Sequence, residues 1–175
     1  MSALLASPGT TLIPVSVDHA PALASLVGAN IGHLRTYLPQ VAELASSEAA
    51  RRHLQAATGR SQRGDVHEWH IFVDADDRKA KVGYFIGSRY QGRGIVTASV
   101  RAVLAHCFGE LGLNRIELRC AADNAPSIRV AQRLGFVLEG ILREDEWLDG
   151  RFVDQHLYSL LRRAFLAQGS RQAAP

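Results

Sequence analysis

Residues 81–95, which read KVGYFIGSRYQGRGI, carry the strongest structural signal in this chain of 175 residues. An apolar run with strand character enters a loop that contains Gly92 and Gly94, and the chain then continues in a helical pattern. Glycines let the backbone turn sharply and direct several N–H groups at one point, and the N-terminus of the next helix adds the positive end of its dipole. The segment therefore predicts a seat for a phosphate group.

Upstream of this loop, the apolar spacing predicts a strand, two helices and two further strands. Asp18 is placed to cap the first helix and Ser46 or Ser47 the second, since short polar side chains satisfy the free N–H groups at a helix start. The predicted elements are a strand at 11–17, a helix from 18 to 34, a helix from about 47 to 58, a loop at 59–65, a strand around 69–73 and a strand at 80–86.

Downstream of the loop, the pattern predicts a helix, a strand, a short helix and a pair of long strands. Gly112 ends the first of these helices and Gly135 the second, while Asp149 and Gly150 are a strong signal for a type I′ hairpin turn. Helical crossovers require parallel pairing and hairpins antiparallel pairing, so this order predicts a mixed sheet of the α/β (α+β) class. The predicted elements are a helix at 95–111, a strand at 116–120, a helix that starts within 123–127, and strands at 136–147 and 152–161.

Length and composition predict one domain, residues 1–175, with an ordered core at about 10–166 and a frayed tail at 167–175. The net charge is +3, and basic and acidic residues are interspersed instead of gathered in a block, which argues against a nucleic-acid-binding surface. Cys107 and Cys120 lie inside apolar periodic segments, which fits buried thiols in a reducing compartment. Because no apolar run reaches membrane-spanning length, we expect a cytoplasmic protein without membrane contact.

The glycine pair alone is a weak signal, because many loops contain such a pair. The loop lacks the Lys-Ser/Thr pair of a nucleotide-binding P-loop and the third glycine of the dinucleotide fingerprint. A second element strengthens the signal, since Asn124 and Ser127 stand at a predicted helix start and Gly135 and Phe136 follow at its end. The function of the loop is therefore best judged from the two elements together.

The two elements together resemble the GCN5-related N-acetyltransferase (GNAT) family, in particular its RimJ/RimL-type branch, which acetylates the α-amine of ribosomal proteins. The family's Arg/Gln-x-x-Gly-x-Gly/Ala loop is matched by Arg89, Gly92 and Gly94, and its Asn-x-x-Ser helix start by the pair just named. The branch's C-terminal hairpin resembles EWLDGRFVDQHLYSLL at 146–161. The resemblance implies a mixed, mostly antiparallel central sheet flanked by helices, with a V-shaped split that binds acetyl-CoA.

The resemblance also implies which residues bind the co-substrate acetyl-CoA, and it implies no metal. Backbone N–H groups of the glycine loop would hold the pyrophosphate, and the preceding strand edge would pair with the pantetheine amides and polarise the thioester carbonyl. Arg93 is open between a phosphate contact and a solvated charge, and Asn124 between a ligand contact and an Asx turn. The implied acetyl-CoA-binding residues are Phe85, Ile86, Arg89, Gln91, Gly92, Arg93, Gly94, Ile95 and Asn124.

The catalytic residues depart from the family pattern. In many GNAT members a tyrosine four residues beyond the serine donates a proton, but here that position is Ala131, which leaves Ser127 as the candidate acid. The alternative is a purely structural role, in which Ser127 only caps its helix. Where the branch usually has a glutamate base this chain has Lys81, so we rank Glu68 first and Glu117 second as the base, with a surface role as the alternative for Glu68.

The region at 65–86 is short, and its pattern predicts two strands where the family usually has three. His67 and His70 flank Glu68 there, but on a strand their rings would face opposite ways. A metal site is therefore not expected.

The acceptor is an amine whose identity the sequence leaves open. An α-amine with a pKa near 7.8 is about 14% neutral at pH 7, whereas a lysine with a pKa near 10.4 is about 0.04% neutral, so a weak base favours the α-amine. We therefore expect a protein or peptide N-terminus, for example that of a ribosomal protein, with a polyamine or an amine antibiotic as alternatives. A module that binds acyl-CoA without turnover is a further alternative, and exposed strands at 152–161 leave a homodimer open.

Overall fold

The computed structural model describes residues 4–7, 10–12, 14–62, 66–67, 71–74, 77–148 and 150–172, with side chains at 14–60, 77–148 and 150–169. The strands are β1 (Leu4–Ser7), β2 (Thr10–Leu12), β3 (Val66–His67), β4 (Ile71–Asp74), β5 (Lys79–Val82), β6 (Arg115–Ala121), β7 (Val137–Leu148) and β8 (Arg151–Leu161). The α-helices are α1 (Ala20–Leu34), α2 (Ser47–Gln62), α3 (Ile95–Phe108), α4 (Ala125–Arg133) and α5 (Arg162–Gln172). Short 3-10 helices lie at Val17–His19, Pro39–Ala45 and Ser88–Tyr90.

The central sheet has the strand order β3-β4-β5-β6-β8-β7. Its neighbours pair antiparallel except β5 and β6, which are parallel and are joined by the crossover that contains α3. This confirms the predicted mixed, mostly antiparallel sheet. Strand β8 lies between β6 and β7, so within the described sheet the free edge on that side belongs to β7, not to the strand at 152–161 that the sequence analysis took as exposed.

The predicted V-shaped split lies between β5 and β6. Lys79 to Val82 pair with Arg115 to Leu118, and the pairing ends there. Strand β6 continues to Ala121, while residues 83–87 leave the sheet without strand structure. Because the two segments separate beyond Val82, their main-chain N–H and C=O groups border an opening and do not form hydrogen bonds with each other.

The main core lies between the sheet and helices α3 and α4. Ile116, Leu118 and Cys120 alternate along β6 and are all buried, as period-2 spacing requires for one face of a strand. Leu104 and Phe108 of α3 are fully buried against this face. Burial of a large apolar side chain is worth about 1.5–3 kcal/mol, so this face anchors α3 and the loop before it to the sheet.

Several predicted boundaries in the N-terminal half are wrong. The strand predicted at 11–17 is only β2, because Val17 already belongs to a 3-10 helix whose start is capped by the Ser16 hydroxyl. Helix α2 continues beyond residue 58 through Gly59 to Gln62.

The region at 65–86 holds three strands, not two. Strand β3 is two residues long, which is too short for a period-2 pattern to reveal. Strand β5 ends at Val82, not at residue 86 as predicted, because its parallel partner diverges there.

Helix ends differ from expectation in the C-terminal half as well. Helix α3 ends at Phe108 and not at residue 111, since Gly109 caps it and the following turn returns an N–H group to His106. Helix α5 extends to Gln172, beyond the predicted end of order at about 166, and the Phe165 ring packs on Phe108 with centroids 5.2 Å apart. At the hairpin, Gly150 has the positive φ of +83° that the predicted turn needs, and Asp149 lies outside the described residues.

Candidate active site

The glycine loop adopts the conformation that the sequence predicts. Gly92 and Gly94 have φ values of +71° and +75°, a region that side chains disfavour. Gly94 is the N-cap of α3, and its carbonyl accepts the first helical hydrogen bond from the Ala98 N–H at 3.0 Å. The first N–H groups of α3, beginning at Ile95, have no partner inside the helix, so the loop and the helix start together form an anion-binding surface.

Helix α1 braces the segment that enters this loop. The Asn30 Oδ1 accepts hydrogen bonds from the Ser88 N–H at 2.8 Å and from the Ser88 hydroxyl at 3.0 Å, while the Asn30 amide donates to the Leu26 carbonyl at 2.7 Å. A Cβ at Gly87 would lie 3.2 Å from the Asn30 side chain, so the two segments are in close contact. The sequence analysis missed this brace, whose only signal is a polar Asn within the second half of a mostly apolar helix.

A cleft of about 750 Å³ lies in the split between β5 and β6. It contains most of the predicted acetyl-CoA residues together with the predicted acid, Ser127. The predicted residues that line it are Phe85, Ile86, Gln91, Gly92, Gly94, Ile95 and Asn124. Arg89 and Arg93 belong to the same loop, but their guanidinium groups lie over the Tyr90 ring, 4.7 Å and 5.9 Å from its centroid.

The two polar residues at the start of α4 have different local roles. Asn124 is the N-cap, and its Oδ1 accepts a hydrogen bond from the Ser127 N–H at 3.2 Å. The alternative in which Ser127 is the helix cap is therefore wrong. Asn124 forms the Asx-type bond that was the alternative to a ligand role, and it also lines the cleft, so the two roles are compatible.

Tyr84 is a residue that the sequence analysis did not select. It follows the end of β5, lines the cleft, and packs against the main core. Its hydroxyl is buried and has no hydrogen-bond partner among the described residues. Burial raises the pKa of Tyr84 to about 12, and the neighbouring Ser127 hydroxyl acts in the opposite direction. The phenol therefore carries its proton at neutral pH.

Glu146 is the second residue that the sequence analysis missed. This carboxylate lines the cleft from β7 and accepts a hydrogen bond from the Gln155 Nε2 at 2.5 Å. Desolvation raises the pKa of Glu146, and the nearby Asp145 raises it further. Asp145 itself forms an ion pair with Arg119 at 3.5 Å, whereas Gln155 is neutral and 5% exposed. A partly desolvated carboxylate with a raised pKa suits a group that accepts protons.

The bases chosen from the sequence do not gain support. Glu68 lies outside the described residues. Glu117 does not line the cleft, and it accepts a hydrogen bond from the Arg115 Nε at 3.0 Å. The side chains of His67 and His70 also lie outside the described residues, and within the described part of the chain no three His, Cys, Asp or Glu side chains cluster.

None of the helices in the described ranges combines the length and the apolar character that crossing a bilayer requires. Both cysteines are free thiols. Cys120 borders the cleft and Cys107 lies in the core, and burial raises the pKa of each thiol, to about 11 and about 12 respectively.

Several known proteins are similar to this chain in sequence. The uncharacterized N-acetyltransferase p20 of Bacillus licheniformis is 36% identical over 93 residues, which cover 53% of this chain and 52% of that protein. The chain thus spans about half the length of the first curated relatives that it matches. The ribosomal-protein-serine acetyltransferase of Escherichia coli is 28% identical over 158 residues, or 83% of this chain and 88% of that protein.

A solved structure with the same fold contains a bound coenzyme. It is the RimL ribosomal L7/L12 alpha-N-protein acetyltransferase in complex with coenzyme A, which covers 93% of this chain and 99% of its own, with a TM-score of 0.86 at 26% identity. The family model described as acetyltransferase (GNAT) domain matches residues 10–137, well over half of the chain. With the split sheet, the glycine loop before α3 and the capped start of α4, this match shows that the chain belongs to the GNAT acetyltransferase family.

Proposed function

We propose that this protein transfers the acetyl group of acetyl-CoA to a primary amine, preferentially the α-amine at the N-terminus of a protein or peptide. One observation carries the proposal: a single cleft is bordered by the glycine loop at the start of α3 and by a carboxylate, Glu146, whose pKa is raised. The first feature suits a pyrophosphate and the second suits an ammonium group. The relatives named above, which include ribosomal-protein acetyltransferases, support the same reaction class.

The loop and the split supply the contacts for acetyl-CoA. Main-chain N–H groups between Gly92 and Ile95 bind the pyrophosphate, and Arg93 leaves Tyr90 to add a guanidinium contact. Residues 83–87, which have left the sheet, offer main-chain groups to the pantetheine amides, and Asn124 offers its amide N–H. Apart from Arg93, the contacts come from segments that already border the cleft, so binding requires little rearrangement of the fold.

The reaction is a direct attack within a ternary complex. The acceptor ammonium gives one proton to the Glu146 carboxylate, and the nitrogen lone pair forms a bond to the thioester carbonyl carbon. A backbone N–H near Phe85 stabilises the resulting oxyanion. As the C–S bond breaks, its electron pair stays on sulfur, and the nitrogen gives its second proton to the Ser127 oxygen. Ser127 donates its O–H to the sulfur, and the products are an amide, the thiol of coenzyme A and one proton in total.

The acceptor end of the cleft favours a cation of modest pKa. Glu146 gives this part of the lining a negative charge, which attracts an ammonium group, while the charge of Asp145 is offset by its ion pair with Arg119. Deprotonation at pH 7 costs roughly 1 kcal/mol for an α-amine of pKa about 7.8, but roughly 4.6 kcal/mol for a lysine of pKa about 10.4. An N-terminal α-amine is therefore the preferred acceptor, and a ribosomal protein N-terminus is the candidate that the relatives suggest.

Cellular setting and assembly belong to the same proposal. Two buried free thiols fit a cytoplasmic protein, because reducing conditions keep thiols unpaired. The free edge of β7 and its neighbouring turn carry exposed apolar side chains that favour self-association into a dimer. These side chains are Val137 (65% exposed), Leu138 (46%), Ile141 (52%), Trp147 (57%) and Phe152 (59%). Light scattering on the purified protein measures the assembly state, and a monomer at all concentrations would remove this part of the proposal.

A matched pair of peptides tests the acceptor. One peptide has a free N-terminal serine and no lysine, and the other has the same sequence with an acetylated N-terminus and one internal lysine. We expect thiol release from acetyl-CoA with the first peptide at least tenfold faster than with the second, for the pKa reason given above. Faster release with the lysine peptide or with a polyamine would overturn the preference for α-amines. Calorimetric binding of acetyl-CoA without thiol release from any amine would instead support a protein that only binds acyl-CoA.

A further inference from the structure

Burial of the Tyr84 hydroxyl lowers the stability of the folded protein, and no hydrogen bond to a described residue offsets this loss. Its oxygen is inaccessible to solvent, and no described residue is hydrogen-bonded to it. A buried polar group without a partner destabilises the folded state, and in native proteins such a group calls for a specific explanation. A phenylalanine in this position would fill the same space without that cost. The position of Tyr84 in the reaction cleft indicates that the hydroxyl serves the chemistry there.

Ser127 is the neighbour on which this hydroxyl can act. Ser127 occupies the first turn of α4, where Asn124 already binds its N–H and caps the helix. The serine hydroxyl is thus free of capping, and it lies near enough to Tyr84 to oppose the rise that burial causes in the tyrosine pKa. Both side chains line the same cleft, so a hydrogen bond between the two hydroxyls would satisfy the buried oxygen of Tyr84.

We propose that Tyr84 is a positioning residue whose hydroxyl donates a hydrogen bond to the Ser127 Oγ during acetyl transfer and so directs the serine proton at the sulfur of acetyl-CoA. The inference rests on the proposed function. A serine hydroxyl has one proton and two lone pairs and rotates freely about its C–O bond. A fixed donor on one lone pair limits that rotation and leaves the proton to point elsewhere, toward the departing sulfur.

Tyr84 keeps its own proton throughout the reaction. Its pKa of about 12 means that the phenol is neutral at the pH of the reaction, so it acts only as a hydrogen-bond donor. The C–S electron pair goes to sulfur, the N–C bond replaces the C–S bond, and the amine supplies the protons that the carboxylate and the sulfur gain. Tyr84 gains and loses nothing in this balance, which separates a positioning role from acid catalysis by the tyrosine itself.

A double-mutant cycle on the full chain tests the coupling. The variants are Tyr84→Phe, Ser127→Ala and the double variant, assayed by thiol release with the α-amine peptide. We expect Tyr84→Phe to lower kcat about tenfold while the KM for acetyl-CoA changes less than about twofold, because the lost interaction forms only during transfer. We expect Ser127→Ala to lower kcat at least as much, and the double variant to be no slower than Ser127→Ala, because residues that act as one unit are not additive.

Thermal unfolding separates this role from damage to the fold. Tyr84→Phe removes a buried hydroxyl without a partner, so we expect the melting temperature of the protein without acetyl-CoA to rise by a few degrees while kcat falls. The matched control is Tyr158→Phe, since Tyr158 is a buried tyrosine of the same core that does not line the cleft. This variant should keep the wild-type kcat.

The outcomes distinguish the inference from the function on which it rests. If the wild-type protein releases no thiol with any amine, the proposed function fails and this inference fails with it. If the wild type is active and Ser127→Ala is slow, an unchanged kcat for Tyr84→Phe overturns the inference alone. Additive losses in the double variant would also overturn it, because they would mean that Tyr84 acts independently of Ser127. Loss of kcat in Tyr84→Phe with a lower melting temperature and a raised KM would identify a purely structural role.

Discussion

The Asn30 Oδ1 accepts two hydrogen bonds from Ser88, one from the main-chain N–H at 2.8 Å and one from the hydroxyl at 3.0 Å. These bonds join α1 to the segment that leads into the glycine loop, 58 residues further along the chain. The loop itself has two residues of positive φ and few side chains to hold it, so its geometry depends on contacts at its entrance. His33, one turn after Asn30, adds a second contact through its Nε2, which lies 2.6 Å from the Gln91 Nε2.

Removal of this brace should weaken acetyl-CoA binding more than the chemical step. We expect Asn30→Ala to raise the KM for acetyl-CoA several-fold, with kcat within about twofold, because the phosphate-binding N–H groups lose orientation while the catalytic side chains stay in position. Ser88→Ala is the matched control, since it removes the hydroxyl bond and keeps the main-chain bond. Steady-state kinetics should place Ser88→Ala between the wild type and Asn30→Ala. Equal KM values for all three proteins would mean that α1 does not support the loop.

A pair of glycine substitutions separates strain in the loop from general tolerance of alanine. At Gly94 an added Cβ meets no atom within 4 Å, but the φ of +75° strains any L-residue, so we expect Gly94→Ala to lower the free energy of unfolding by about 1–2 kcal/mol or to distort the loop. Gly28 lies exposed within α1, also with no atom within 4 Å of an added Cβ. There alanine should raise stability by about 0.5–1 kcal/mol.

Urea unfolding and calorimetry with acetyl-CoA measure both effects of the glycine pair. Gly94→Ala should lose stability and bind acetyl-CoA at least tenfold more weakly, while Gly28→Ala should gain stability and bind normally. Normal binding by a Gly94→Ala protein would contradict a role for the loop backbone in holding the pyrophosphate.

The loop and the start of α4 could be predicted because their requirements are local. A backbone with positive φ favours glycine, and a helix start favours a side chain that accepts a hydrogen bond. The local structure at Gly92, Gly94 and Asn124 can therefore be predicted from these residue types alone. The ends of the β7–β8 hairpin are predicted within one residue for a similar reason, since the turn signal at residues 149–150 fixes where the two strands meet.

Glu146 could not be found in this way, because its position depends on an irregularity between two strands. From the pair Leu142 and Gln155 to the pair Glu146 and Val153, β7 advances four residues while β8 advances two. The surplus residues form a bulge in which Glu144 has a positive φ of +52°. Bulges re-aim side chains, and this bulge brings Glu146 into hydrogen-bond contact with Gln155 beside the cleft.

The role of Tyr84 could not be predicted from the sequence for a related reason. A strand was predicted to continue to residue 86, which would have made Tyr84 one more alternating strand residue. In the structure the strand stops at Val82, because its parallel partner diverges, and Tyr84 lies near Ser127, which comes from another part of the chain. Proximity between two residues that are distant in the sequence cannot be predicted from the local spacing of apolar residues.

The ion pair between Arg115 and Glu139 predicts a loss of stability in acid. Arg115 donates two hydrogen bonds to this carboxylate, at 2.8 and 2.5 Å, and Ser159 donates a third at 2.6 Å. These bonds lower the pKa of Glu139 to about 2, with Arg115 as the main cause. A carboxyl group whose folded-state pKa is below its unfolded value stabilises the protein above the unfolded pKa of about 4.3, and this contribution is lost as the pH falls toward about 2.

Glu139→Gln measures this contribution. The side chain is 38% exposed, so solvent screening limits the expected loss in the free energy of unfolding at pH 7 to about 1 kcal/mol. The difference between wild type and variant should shrink between about pH 4 and pH 2, because the wild-type carboxylate becomes protonated there. Glu43→Gln, at an exposed position, should show no such pH-dependent difference in urea unfolding. A difference that stays constant down to pH 2 would mean that the charge of Glu139 does not contribute.

The ionisation of Glu146 should determine how kcat/KM falls at low pH. Its carboxylate accepts a proton only when ionised, and because desolvation raises its pKa above the usual 4.5, we expect kcat/KM to fall with decreasing pH at a value above 4.5. Glu146→Gln removes the base and should lower kcat about 10²- to 10⁴-fold at pH 7. At a pH above the pKa of the acceptor amine, the nitrogen is already neutral and needs no base, so much of the loss should be recovered. Glu144→Gln, which alters an exposed carboxylate on the same strand, should retain wild-type rates across the whole pH profile. A Glu146→Gln enzyme with the wild-type pH profile would show that the amine proton leaves by another route and that Glu146 is not the base.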